Sequence, residues 1–88
     1  MKRNCIKEKG LLAIAFVTIK VQAGQIKEVL KKVREIDNVI EAYSITGPYD
    51  IILKIKGENM ETIAKMIVIK IHEIQGVQDT VTYLVIDF

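Results

Sequence analysis

The chain has 88 residues, half of them hydrophobic, with 13 basic and 11 acidic side chains and a net charge of +2. That length holds a single domain, because single cores stop growing only at roughly 250 residues, and charges of both signs interspersed along it leave no basic footprint of a nucleic-acid binder. Cys5 is the only cysteine, which excludes an internal disulfide and a cysteine-built zinc cluster and fits a reducing, cytoplasmic setting.

Residues 1–10 are charged and show neither helical nor strand periodicity, so a flexible N-terminal tail is expected ahead of a domain over residues 11–88. The apolar run from Leu11 to Val17 is far too short to cross a membrane, and no small-residue cleavage site follows it. It opens a first strand, Leu11 to Val21, punctuated by Gly24. Gln25 to Ile36 places Ile26, Val29, Leu30, Val33 and Ile36 at helical spacing, and Asn38 is suited to end that helix in the left-handed conformation. Val39 to Ile45 reads as a second strand and Ile51 to Lys56 as a third, stopped by Gly57. A second helix is expected from Met60 to Ile74, with Asn59 as N-cap and Ile63, Ala64, Ile67, Ile71 and Ile74 on one face. Gly76 closes it, and Val77 to Ile86 forms a fourth strand before Asp87-Phe88.

The order is βαββαβ, and an internal repeat supports it. Glu35-Ile36-Asp37-Asn38-Val39-Ile40-Glu41 and Glu73-Ile74-Gln75-Gly76-Val77-Gln78-Asp79 match in type at an offset of 38, each marking a helix end that turns into a strand. Two such halves make a ferredoxin-like α+β sandwich, a four-stranded antiparallel sheet with two helices on one face. Right-handed crossovers put strands one and three in the centre and two and four at the edges. The more continuous apolarity of strands one and three agrees.

With both helices on one face, the other face of the sheet is left bare. Alternation sends Leu12, Ile14, Phe16 and Thr18 to one side of strand one and Ala13, Ala15, Val17 and Ile19 to the other. Neither set is polar enough for water, so two sheets are expected to pair across the bare face. Met66, Val68 and Ile69 fall outside the expected stripe of the second helix and suggest a further subunit contact.

Catalytic equipment is scarce. His72 stands alone on a helix, without metal-ligand spacing to a cysteine or a carboxylate pair, and no phosphate-binding glycine loop or nucleophile elbow occurs. Arg3 and Arg34 do not build an anion clamp. The fold's metal carriers have a Cys-x-x-Cys loop where Val21-Gln22-Ala23-Gly24 stands here, and its RNA readers have aromatic residues that the third strand lacks. The chain is therefore expected not to be an enzyme and to need no cofactor.

One segment carries more than the fold requires. In Ile45-Thr46-Gly47-Pro48-Tyr49-Asp50-Ile51, Gly47 supplies φ freedom and Pro48 presets a turn, but Tyr49 and Asp50 are not needed for the connection. Asp50 either caps the loop's own backbone or meets a ligand.

The residues from Val39 to Leu53, with Thr-Gly-x-Tyr-Asp after a Val-x-x-x-Tyr strand, together with Gly76-Val77-Gln78-Asp79-Thr80-Val81-Thr82, resemble a known family. It is the effector-binding RAM domain of the Lrp/AsnC (leucine-responsive, feast/famine) transcriptional regulators, and the similarity runs from about Ala13 to Ile86. The resemblance implies a homodimer through the sheet faces, assemblies of dimers such as octamers, and amino-acid effectors bound between dimers. It places Thr46, Gly47, Pro48, Tyr49 and Asp50 in the loop that holds the effector's polar groups. Gln78, Asp79, Thr80 and Thr82 match the strand that completes the site from a neighbouring subunit. Backbone amides beside Gly47 suit an α-carboxylate, and Asp50 suits an α-ammonium.

Full-length members carry an N-terminal helix-turn-helix, whereas ten residues precede the first strand here. The resemblance is thus to a stand-alone effector domain, without sequence-specific DNA binding, that co-assembles with full-length regulators. The alternative is a purely structural oligomerisation domain without an effector. Deleting residues 1–9 is expected to leave fold and association intact, checked by circular dichroism and light scattering.

Overall fold

In the computed structural model, residues 13–86 are described, so the tail assigned to residues 1–10, the start of the first strand at Leu11 and Leu12, and Asp87-Phe88 lie outside the described residues. The elements are β1 (Ala13–Val21), α1 (Ile26–Arg34), β2 (Val39–Ser44), β3 (Ile51–Gly57), α2 (Met60–Met66), which continues as a π-helical turn over Ile67–Ile71, and β4 (Val77–Leu84). The sheet order is β2-β3-β1-β4 with every neighbouring pair antiparallel. This is the ferredoxin-like α+β fold, with the two most apolar strands in the centre.

Burial follows the period of two. Ala15, Val17 and Ile19 of β1 and Ile51, Leu53 and Ile55 of β3 are all buried, and meet Val29 and Val33 of α1 and Ile63, Met66, Ile67 and Ile71 of the second helix. Helix α1 ends at Arg34, two residues short of the expected end, because Glu35 and Ile36 donate their amides to Lys32 and Val33 in tighter i→i−3 bonds. Glu28 in its first turn and Lys31, Lys32 and Arg34 in its last complement the helix dipole.

Asn38 does not adopt the expected left-handed conformation, since no non-glycine residue described has positive φ. Its carbonyl instead accepts from the Lys56 amide at 3.0 Å, and its Nδ2 donates to the Lys56 carbonyl at 3.0 Å. The side chain brackets the end of β3, and that pairing replaces a local helix cap.

The second helix departs most from expectation. Asn59 caps it as anticipated, its Oδ1 accepting from the Thr62 amide at 2.8 Å. At Ile67 the spacing widens, and the His72 amide bonds the Ile67 carbonyl five residues back. Ile67, Val68, Ile69 and Ile71 are β-branched and stiff at χ1, which weakens an α-helix there. Met66, expected outside the core, is buried, because it follows Ile63 by three positions and shares its face. Ala64, expected in the core, is exposed. Val68 and Ile69 are 62% and 55% exposed. Strand β3 receives this helix closely: a Cβ at Gly57 would lie 2.9 Å from Ile63 Cγ1.

Replacing Asn59 by alanine removes the helix cap and is expected to cost about 1 kcal/mol; aspartate, which also caps, restores most of it, as read by denaturant unfolding.

Candidate functional site

The loop between β2 and β3 is held at both ends by Asp50. The Ile45 amide bonds the Asp50 carbonyl and the Asp50 amide bonds the Ile19 carbonyl, each at 2.9 Å. The Asp50 carboxylate does not cap its own loop. Its Oδ2 accepts from the Val21 amide at 2.8 Å, across 29 residues of sequence. At this place β1 leaves register with β4: Lys20 still pairs with Asp79 but Val21 pairs with Val77, so Gln78 is the extra residue of a bulge. Asp50 therefore satisfies a β1 amide at the site of that irregularity. Gly47, at φ +135°, holds a backbone region that L side chains avoid, with open space where a Cβ would stand. Thr46, Gly47 and Pro48 are exposed, and Tyr49 and Asp50 half-buried.

The residues of β4 divide between two faces. Thr82 pairs with Val17 and Thr80 with Ile19, on the helix side of the sheet, whereas Asp79 pairs with Lys20 on the bare side. Thr80 and Thr82 line an open cleft of about 500 Å³ between β4 and the second helix, with Met60, Ile67, His72 and Leu84 among its other walls. His72 Nε2 lies 2.8 Å from Thr80 Oγ1, giving the cleft a polar end. Asp79 turns its Oδ1 to the Thr80 amide at 2.9 Å. Gln78 is exposed at the bulge.

The loop and the start of β4 thus lie at the same end of the sheet, but β1 runs between them, a separation of two strand spacings or about 10 Å. One protomer brings the two groups of candidate residues to one end of the sheet and does not merge them. Two residues that sequence reasoning left aside belong here. His72 reaches Thr80, and Lys20 donates from Nζ to the Pro48 carbonyl at 3.3 Å. Lys20 was traceable as the last outward residue of the first strand before the loop; His72 becomes meaningful only once the helix end lies beside β4.

Arg34 is not available as an anion clamp in this structure, because its Nε and Nη2 both donate to the Ala42 carbonyl, at 3.2 and 2.8 Å. On the bare face the Tyr43 hydroxyl donates to Glu41 Oε1 at 2.7 Å, and this bond, with the carboxylate charge, raises the phenol's pKa above its ordinary value. Among the described residues no group of three or more His, Cys, Asp or Glu side chains is placed to hold a metal ion. No helix among them is long and apolar enough to cross a membrane.

The sheet order, the Gly47–Asp50 loop and the threonine strand coincide with a family match: the model of the Lrp/AsnC ligand binding domain covers residues 14–87. The chain belongs to this family. The HTH-type transcriptional regulator FL11 of Pyrococcus furiosus is 35% identical over 77 residues, which are 88% of this chain and 50% of that protein. The chain spans about half the length of such regulators. Escherichia coli AsnC superposes with a TM-score of 0.85 at 29% identity, covering 93% of this chain and 56% of that one. The hypothetical protein PHS023 of Pyrococcus horikoshii gives 0.79 at 30% identity, covering 86% and 92%. A Neisseria meningitidis transcriptional regulator, solved as its complex with L-Met, shares the fold at 0.80 and 22% identity, covering 92% and 54%.

In this Lrp/AsnC domain, Asp50→Ala is expected to lower stability by roughly 1.5–3 kcal/mol, the range for a hydrogen bond to a charged group. Asp50→Asn keeps an acceptor for the Val21 amide and loses less; chemical denaturation of both variants measures the difference.

Proposed function

We propose that this chain is a non-enzymatic regulatory module that binds a small amino-acid effector between subunits. The observation that carries the reading is the cleft beside β4, where Thr80, Thr82 and His72 offer hydrogen bonds at one side of walls that are apolar apart from Glu61. Such a lining suits a small molecule with a polar head and a side chain. The second half-site is the loop: the exposed backbone at Gly47 can meet an α-carboxylate, and Asp50, with one oxygen committed to Val21, retains acceptor capacity for an α-ammonium. Because β1 separates the halves within a protomer, the complete site takes the loop of one subunit and the strand of its neighbour. Gln78 and Asp79, exposed at the edge of the sheet, fall at that junction.

Association supports the same reading. Phe16, Tyr43 and Tyr83 are exposed on the bare sheet face, where a homodimer forms in this proposal. Met60, Val68 and Leu84 are exposed around the cleft, where dimers meet to build an octamer or a related ring. An effector bound at that second contact changes assembly through its differential affinity for the joined and separated states. Co-assembly with full-length Lrp/AsnC regulators in the cytoplasm then gives it a regulatory output.

Titration calorimetry of the assembled protein against the twenty amino acids tests the proposal. Binding of one or a few is expected, with Thr82→Val weakening it up to about tenfold, the scale of one neutral hydrogen bond, while assembly is unchanged. Uniform absence of binding leaves the module as an oligomerisation domain without an effector.

A further inference from the structure

A sheet has edges as well as faces, and both edges of this one are interrupted by a charged side chain. In β2 the Ile45 amide bonds the Asp50 carbonyl at 2.9 Å, so the alternation of an antiparallel pair turns the backbone groups of Tyr43 and Glu41 toward β3 as well. Ala42 and Ser44 turn theirs outward. That outward run is only two residues long, because the register shifts between Val39 and Glu41 and the strand ends at Ser44. Of its two carbonyls, that of Ala42 is taken by Arg34, the last residue of α1, whose Nε and Nη2 donate to it at 3.2 and 2.8 Å. Strand β4 shows the same device with the charge reversed. The Val85 amide bonds the Ile14 carbonyl at 3.0 Å, so Tyr83, Val81 and Asp79 face β1, while Leu84, Thr82 and Thr80 turn outward. The outward amide of Thr80 is taken by Asp79 Oδ1 at 2.9 Å.

The strand that these contacts exclude follows from the topology. Every neighbouring pair is antiparallel, so β2 and β4 run in opposite directions. A second copy displaced sideways without rotation sets its β4 antiparallel against β2, with the helices of both copies on the same side. Such a head-to-tail contact leaves a free edge at each end and repeats without closing. Whichever residue of the incoming β4 lies opposite Ala42, its amide meets a carbonyl whose two lone pairs already hold Arg34. The guanidinium also stands in the lane, about 4.8 Å wide, that a new strand needs. An amide buried there without an acceptor disfavours the contact.

We propose that Arg34 is an edge stop: it closes β2 to strand addition by a second copy's β4 and keeps this chain from open-ended sheet growth, with Asp79 as a lesser stop on the far edge. Arg34 is the decisive residue of the two. Thr82 and Leu84 turn their backbone groups outward beyond the reach of Asp79, so β4 still offers a run of edge groups, whereas Arg34 takes one of the two carbonyls that β2 has to offer. The chain needs such a stop, because β2 carries Val39, Ile40 and Tyr43, residue types suited to strand pairing, in a sequence that is half hydrophobic. The inference concerns the edges alone. It holds with or without an effector and for any pairing of the faces.

Arg34→Leu keeps an apolar stem and removes the donors, whereas Arg34→Lys keeps a cationic donor. Light scattering over a concentration series, with circular dichroism on the same samples, compares both with the wild type. Wild type and Arg34→Lys are expected to hold a fixed mass, and Arg34→Leu to grow in mass as concentration rises. Quenched hydrogen exchange locates the contact: the outward amides of Ala42 and Ser44 are expected to exchange rapidly in the wild type and to gain protection in Arg34→Leu. A folded Arg34→Leu protein with the fixed mass of the wild type overturns the proposal. So does growth that leaves Ala42 and Ser44 unprotected, and so does protection of both amides in the wild type, which means that the edge already carries a strand. If Arg34→Leu does not fold, the wild type decides through NMR coupling across the hydrogen bond. Coupling from an Arg34 side-chain nitrogen to the Ala42 carbonyl carbon, with rapid exchange at Ala42 and Ser44, supports the stop, and its absence overturns it.

Discussion

A four-stranded sheet with both of its helices on one side must leave its other side to something else, and much of this molecule is arranged around that asymmetry. The helix side holds its core within the protomer: Val17, Ile19, Ile51, Leu53, Ile55 and Ile71 are all sealed from solvent. The other side shows Phe16, Tyr43 and Tyr83 to solvent, with Glu41 and Lys54 between them. Burial of apolar area stabilises a small domain only in proportion to what it can cover. A second copy is the simplest cover, because a closed two-fold pairing supplies the same surface to both partners.

The other consequence of the topology is the separation of the two groups of candidate site residues. The sheet order puts β1 between β3 and β4, so the loop before β3 and the opening residues of β4 lie at one end of the sheet without touching. Asp50 links the loop to β1 through the Val21 amide, and the bulge at Gln78 lets β4 leave register beside the same point. These are structural features first. Their position at a sheet end, next to a cleft with threonine and histidine hydrogen-bonding groups, is what makes a shared site between subunits chemically reasonable.

The π-helical turn connects the two themes. Widening the second helix at Ile67–Ile71 keeps Ile67 and Ile71 in the core while Val68 and Ile69 remain exposed, and it brings His72 to Thr80. An exposed apolar pair and a polar end of the cleft thus issue from one local departure, in the manner of π-turns found at functional positions.

The fold was legible in the sequence because it rests on periodicity. Residues Ala15, Val17 and Ile19 at every second position, and Val29 and Val33 four apart, declare a strand and a helix before any contact is known. The Asn59 cap, the repeat at helix ends and the family likeness of the loop and threonine strand are equally local patterns. The π-turn was not legible, since period counting assumes an unbroken helix, nor was the bracketing of Lys56 by Asn38, which depends on a strand 18 residues away. For the candidate site, the sequence singled out Gly47, Asp50, Thr80 and Thr82 by type and by the motif's resemblance. Only the tertiary structure decided that Asp50 accepts from the Val21 amide, that Thr80 and Thr82 take the helix side of the sheet, and that His72 joins Thr80, because these relations are set by strand register and packing between segments far apart in the chain.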